Sequence, residues 1–233
     1  MTPDFTYSLA KSQGLRRSVV LAAAVLVVKV TLSIVLGYRE YFPPNFRADF
    51  LLGRESYFFG AYRWAFCAHI VAGPLALLAG LALVSERFRR RRPAVHRWLG
   101  KLQIALVTLV VAPSGAWMAW YAQSGGVAGL GFFLLAVATA GCAVMGWRSA
   151  VGRRFVEHRR WMWRCFLLLC SAVVVRLVGG LATVTGVDAD WVYPLTAWVS
   201  WLGPLAAFEL VELKSRRWRR RGQGVSLLES GMS

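Results

Sequence analysis

Six apolar runs of about 20 residues dominate this sequence and restrict what it can fold into. A helix of about that length crosses the hydrocarbon core of a bilayer, which is about 30 Å thick. The runs lie roughly at 18–37, 64–84, 99–120, 129–149, 161–181 and 193–213. Because a backbone inside lipid must satisfy its own hydrogen bonds, they predict an all-α integral membrane protein with six transmembrane helices in a bundle.

Charge is distributed unevenly between the segments that join these runs. The net charge is +17, from 28 Lys and Arg residues against 11 Asp and Glu. If the helices alternate in direction, 22 of the 28 basic residues fall on one side. The positive-inside rule places that side and both termini in the cytoplasm, and it makes the anionic phospholipids of that face expected partners. Bases that flank apolar spans form no single soluble patch, which argues against nucleic-acid binding.

The chain divides into a membrane domain and two flanking segments. We expect residues 1–17 to form a cytoplasmic N-terminal segment, residues 18–213 the transmembrane domain, and residues 214–233 a basic, partly disordered cytoplasmic tail. The first run contains Lys29 and no small-residue cleavage site follows it, so it reads as a retained helix. With arginine far outnumbering lysine, a bacterial cytoplasmic membrane is the expected location.

The longest loop, residues 38–63, lies on the outer side and is rich in Tyr and Phe. Such rings suit the headgroup region, where the ring body is buried and a polar tip stays wet. The composition favours an interfacial anchor, and a lid over a site is the alternative.

Two short motifs stand 62 residues apart, "AVHRWLGKLQI" around His96 and "VEHRRWMWRCF" around His158. Each follows an arginine-rich turn and precedes an apolar run. Runs two and three therefore repeat the pattern of runs four and five, which predicts parallel helix pairs related by an axis along the membrane normal.

The two histidines are expected at equal depth on the cytoplasmic side. That placement is what axial ligation of a b-type haem requires, and Arg97 and Arg159 could neutralise its propionates. Alternatively, the rings lie at headgroup level and the arginines bind lipid phosphates without a cofactor. The four cysteines show no metal-ligand spacing, so no metal site is predicted.

A second candidate site lies in the outer half of the bundle. His69, Arg176 and Lys29 all fall inside apolar runs, where an ionised side chain costs at least about 2.5–3.5 kcal/mol. We expect them to face the interior and to bind an anion or the carbonyl oxygens of a quinone. The alternative is hydrogen bonding to backbone carbonyls and lipid phosphates.

On the inner side, Arg164 and Glu209 each lie about one turn inside an apolar run, at the same depth. A buried ion pair that sets helix registry is the simplest interpretation.

Three stretches, "HIVAGPLALLAG", "HRWLGK" and "HRRWMWR", resemble a family of multi-pass membrane proteins catalogued as domain of unknown function 2306. The resemblance covers about residues 64–180 and implies an architecture but no settled activity. A looser resemblance links the paired histidines to haem proteins of the cytochrome b561 type. The chain departs from the two-haem pattern, which needs four histidines, because it has only three.

Two functional hypotheses follow, and whether the protein is an enzyme stays open. The first is a redox membrane protein that binds b-type haem or quinone between helices. The second is a non-enzymatic transporter or a scaffold that binds lipids or anions.

Overall fold

A computed structural model describes residues 3–48, 50–122, 125–187 and 189–230. The elements named within these ranges are all helices. They are α1 (Pro3–Gly37), α2 (Glu55–Tyr57), α3 (Arg63–Val84), α4 (Glu86–Arg91), α5 (Pro93–Leu106), α6 (Ala112–Trp120), α7 (Gly126–Val151), α8 (Phe155–Leu169), α9 (Ser171–Thr185) and α10 (Val192–Ser230). A 3-10 turn follows α1 at Tyr38–Glu40, and π-helical turns occur at Phe58–Tyr62 and Val107–Val111.

Five helical stretches of the described chain are long and apolar enough to cross a membrane. They are Arg17–Glu40, Glu55–Val84, Pro93–Trp120, Gly126–Val151 and Phe155–Thr185. These stretches confirm the first five runs read from the sequence, and α10 completes the bundle by packing along α7, α8 and α9. The sixth run, residues 193–213, lies in α10 and is not among these five stretches, because Trp, Tyr, Pro and Ser interrupt its Leu, Val and Ala residues. The prediction of an all-α membrane protein is confirmed.

Four membrane helices form the core of the bundle. The helix α3 contacts α5 and α6, α6 contacts α7, α7 contacts α8, and α8 closes the ring on α3. Mostly small or β-branched residues fill the centre, together with Leu168: Ala72, Ala76, Val107, Val111, Cys142, Ala143 and Cys165. Gln103, 2% exposed, ties α5 to α3 by donating from Nε2 to the carbonyl of Ala76 over 2.8 Å. Helix α1 lies outside this core, against α3 and α9.

The two halves of the core follow one plan. The helix α5 runs for 14 residues before the π-helical turn, and α8 runs for 15 residues before α9 begins. The motif helices of the two halves are therefore interrupted at nearly the same distance from their starts. The connections differ, because α4 joins α3 to α5, whereas a short turn with Arg153 at φ 57° joins α7 to α8.

The bundle has two chemically different ends. We call the end with residues 85–97 and 148–164 the arginine-rich end, and the end with residues 38–63 and 120–126 the aromatic end. At the aromatic end, part of the loop expected to be an interfacial anchor packs inward, whereas Phe42, Leu52 and Phe59 stay exposed. Its buried members and their partners on α3 are Tyr41, Leu51, Phe58, Tyr62, Phe66 and Ile70. The aromatic rings bury their apolar surface by packing against one another, with neighbouring ring centroids about 5–6 Å apart.

Both terminal helices are longer than the sequence suggested. The helix α1 begins at Pro3 rather than near residue 18, and the backbone of α10 continues through Ser230 where a partly disordered tail was expected. The tail begins with five arginines between residues 216 and 221, which favour helix, and no proline follows Pro204 to stop it.

Candidate functional site

The two histidine motifs begin equivalent helices at the arginine-rich end. His96 is the fourth residue of α5 and His158 is the fourth residue of α8. In each case the backbone N–H of the histidine donates to the backbone carbonyl four residues earlier, at Arg92 and Arg154, over 2.9 Å. The two side chains lie near enough to interact electrostatically. The structure thus places the two histidines, 62 residues apart in sequence, at equivalent positions of two helices at the same end of the bundle.

The imidazole of His158 is oriented by a hydrogen bond to the backbone of α7. Its Nδ1 lies 2.9 Å from the carbonyl oxygen of Gly146 on α7. Because a carbonyl only accepts, Nδ1 donates this hydrogen bond. Gly146 permits this contact by close helix packing, since a Cβ there would lie 2.6 Å from Sδ of Met162 on α8. Fixing the tautomer through Nδ1 is how proteins orient a histidine whose Nε2 binds a metal.

The imidazole of His96 is held differently. Its Nδ1 is buried and has no hydrogen-bond partner among the residues that the structure describes. The ring of Phe88, on α4, lies 6.4 Å from it between centroids. Arg89, Arg97 and His158 all act on it electrostatically. His96 therefore offers a ring nitrogen that protein contacts leave unused, in cationic surroundings.

The rim of this site is basic. Arg97 and Arg159 are both exposed there. Glu86 lies within the electrostatic range of Arg159 and accepts two hydrogen bonds from Arg90, at 2.7 and 3.0 Å. These bonds from Arg90 hold the pKa of the Glu86 carboxyl below its ordinary value. The rim keeps an excess of guanidinium groups, suited to carboxylate or phosphate groups of a ligand.

His69 turns towards α6 rather than into an outer cationic layer. Its Nδ1 lies 3.1 Å from Oγ of Ser114. Ser114 donates its proton to the carbonyl of Val110 over 2.6 Å, so it accepts from His69. Gly115 makes room for the ring, because a Cβ there would lie 3.1 Å from the histidine Cε1. The contact supplies polar partners beside the π-helical turn that precedes Pro113, the role that such side chains often have near irregular membrane backbone.

Arg176 and Lys29, which were expected to face inward beside His69, are both exposed. Lys29 lies in a groove on the outer face of α1, along which its apolar stem can run towards the helix end. Arg176 lies on α9, within electrostatic range of Tyr38 and Tyr193. Helices α1 and α9 lie at the periphery of the bundle, so side chains on their outer faces are exposed rather than buried in its interior. The expected convergence of these three residues does not occur in the structure.

Arg164 and Glu209 meet across α8 and α10. The guanidinium donates from Nε and Nη2 to the two carboxylate oxygens, over 2.5 and 3.0 Å. It also lies 4.7 Å from the ring centroid of Trp161. One turn away, Arg160 pairs with Glu212 at 3.0 Å. Two parallel ion pairs thus fix the register of α10 on the core.

Sequence reasoning missed Arg54, which is only 3% exposed at the aromatic end. Its Nε donates to the carbonyl of Phe50 over 2.6 Å, and Nη1 donates to the Tyr57 hydroxyl over 3.2 Å and to the Tyr121 carbonyl over 2.8 Å. Its guanidinium carbon lies 4.7 and 5.9 Å from the ring centroids of Phe50 and Tyr62. The sequence did contain a signal for this burial. Phe50, Tyr57 and Tyr62 lie at positions i−4, i+3 and i+8 from Arg54, and such spacings can bring aromatic rings around one side chain where the segment forms helical turns.

Comparison with known proteins assigns a family. The family profile described as "Predicted membrane protein (DUF2306)" matches residues 66–212. No curated protein and no solved structure matches the chain. The matched region contains both histidine motifs and the Arg164–Glu209 pair, and it covers well over half of the 233 residues. The chain therefore belongs to the DUF2306 family of predicted membrane proteins.

Proposed function

We propose that this protein is a redox membrane protein that holds a b-type haem between His96 and His158. The observation that carries the proposal is the equivalent placement of the two imidazoles, each in the first turn of a core helix and within electrostatic range of the other. Two histidines on different helices are a common axial pair for haem iron in membrane bundles.

The hydrogen bonding of both rings supports the proposal. His158 donates through Nδ1 to Gly146, which leaves Nε2 as the nitrogen that would bind iron. His96 has a buried Nδ1 without a partner in the described chain, which is costly for a ring that serves only packing. Haem iron would bind one nitrogen of each ring, and the haem would supply one-electron transfer.

The arginines have a complementary role. Arg97 and Arg159, together with Arg89, would bind the two propionate carboxylates, which are the charged part of a b-type haem. We further propose that this end faces the cytoplasm of a cytoplasmic membrane, because the basic segments are cheapest on that side, where they also attract anionic phospholipids.

A visible spectrum of the full-length protein tests the proposal. The protein is expressed with added haem precursor, purified in mild detergent and reduced with dithionite. We expect the sharp α-band of a reduced b-type haem, and we expect His96→Ala and His158→Ala to lose it. His69→Ala is the matched control, since its imidazole contacts Ser114 instead, and it should keep the band.

Chemical rescue separates ligation from folding. In His96→Gly, added imidazole should restore the band, because a free ligand can occupy the space left by the side chain. A colourless wild-type protein under haem-replete expression, or equal bands in all three alanine variants, would refute the proposal.

A further inference from the structure

Arg54 is a buried cation without an ionic partner in the described chain. None of the carboxylates that the structure describes lies within ion-pair distance of it. Its contacts are two backbone carbonyls, one phenol and two aromatic faces, which are all neutral. Neutral acceptors recover only part of the desolvation cost of a buried charge, so the surroundings favour an added anion.

The guanidinium also has unused donors. Nε and Nη1 account for all its hydrogen bonds to described residues, which leaves both N–H groups of Nη2 available. Beside it, Tyr62 is 2% exposed and its hydroxyl has no hydrogen-bond partner among those residues. Among the described residues, Arg54 thus lacks an anionic partner and the Tyr62 hydroxyl lacks a hydrogen-bond partner, and the Tyr62 ring lies 5.9 Å from the guanidinium carbon. A negatively charged group that accepts hydrogen bonds would satisfy both residues.

A second cation connects this pair with the membrane. Tyr193, at the start of α10, lies within electrostatic range of both Arg54 and Arg176. Arg176 is exposed on α9, a membrane-spanning helix. Arg176 therefore adds a second, exposed cation near the end of the bundle that holds Arg54.

We propose that Arg54 and Tyr62 bind a phosphate group, with Arg176 and Tyr193 at the entrance from the lipid side. Phosphate accepts several hydrogen bonds at once and matches the guanidinium fork, whereas a neutral ligand would leave the charge of Arg54 uncompensated. The exposed position of Arg176 favours the headgroup of a phospholipid as the carrier of the phosphate. This inference does not depend on the haem site, which lies at the opposite end of the bundle.

Binding measurements on the purified full-length protein test the inference. One arm titrates inorganic phosphate, and the other compares nanodiscs that contain phosphatidic acid with nanodiscs of phosphatidylcholine alone. Wild-type protein should bind phosphate in at least one arm. Tyr62→Phe removes only the hydroxyl and should weaken binding about tenfold or more, as expected for a lost hydrogen bond to a charged group. Arg54→Gln should weaken it further.

Two control variants isolate the site. Tyr121→Phe keeps the backbone carbonyl that Arg54 uses, and Arg63→Gln removes a cation at the same end that lies 5.0 Å from the Trp64 ring. Both should bind like wild type. Binding in the lipid arm alone identifies a headgroup, and binding of inorganic phosphate identifies a soluble ligand. If wild type binds in neither arm, or if Tyr62→Phe and Tyr121→Phe bind equally, the inference is overturned.

Discussion

The ion pair between Arg164 and Glu209 allows a quantitative test of how α10 is held on the core. Glu209→Gln keeps the shape of the side chain but removes its charge. Breaking a fully buried pair from one side costs about 3–5 kcal/mol. Here the two side chains are 16% and 38% exposed, so solvent screens the charge that remains on Arg164.

Two further contacts lower the expected loss. Arg164 keeps its position 4.7 Å from the Trp161 ring centroid, and the Arg160–Glu212 pair still joins the same helices at 3.0 Å. We therefore expect Glu209→Gln to lower the free energy of unfolding by about 1–2 kcal/mol. Glu86→Gln is the control, because it removes a carboxylate from an exposed ion pair at the same end and should cause no measurable change.

Reversible unfolding of the detergent-purified protein in mixed SDS micelles measures this cost. A double-mutant cycle with Arg164→Met isolates the interaction from the effects of each substitution alone. The geometry predicts a coupling energy of about 1 kcal/mol or more, since a bidentate charged hydrogen bond is lost. A coupling below about 0.3 kcal/mol, the usual level of additivity for independent sites, would refute the assignment of the pair as a clamp.

Helix-contact glycines give further predictions for thermal unfolding in detergent. Gly129→Ala should destabilise by about 1–3 kcal/mol, because its Cβ would lie 2.8 Å from the rigid backbone oxygen of Ala119. Gly141→Ala is the matched control, with nothing within 4 Å of its Cβ, and should be neutral or stabilising. Gly146→Ala should cost less than Gly129→Ala because the flexible Met162 side chain can move, and Met162→Ala should relieve it. Equal losses at positions 129 and 141 would contradict this ordering.

The sequence predicts the membrane helices well because their cause is local. Hydrophobicity and length decide whether a segment crosses lipid, and both are properties of neighbouring residues. The equivalent helix positions of His96 and His158 were also predictable, because a repeated motif implies repeated structure. Arg164 and Glu209 could be matched by depth alone, since each lies one turn from the same end.

Other features depend on how the helices are rotated and packed. Residues 18–37 of α1 are apolar on all sides apart from Lys29, so the sequence does not determine whether the face that carries Lys29 packs inward. His69 finds Ser114 at a separation of 45 residues, a contact that only the packing of α3 on α6 creates. Arg54 lies in a loop whose composition suits the membrane surface, and only the tertiary folding of that loop buries it.

Cross-linking between positions 96 and 158 tests most directly whether the two histidine motifs meet at one end of the core. In a cysteine-free background with a protease site inserted at the α6–α7 turn, the His96→Cys, His158→Cys protein is treated with a short bismaleimide and then cleaved. The structure predicts that the two fragments stay joined, whereas a His69→Cys, His158→Cys protein gives separate fragments. Separate fragments from the first protein, in samples that remain folded by circular dichroism, would contradict the paired site and the haem proposal built on it.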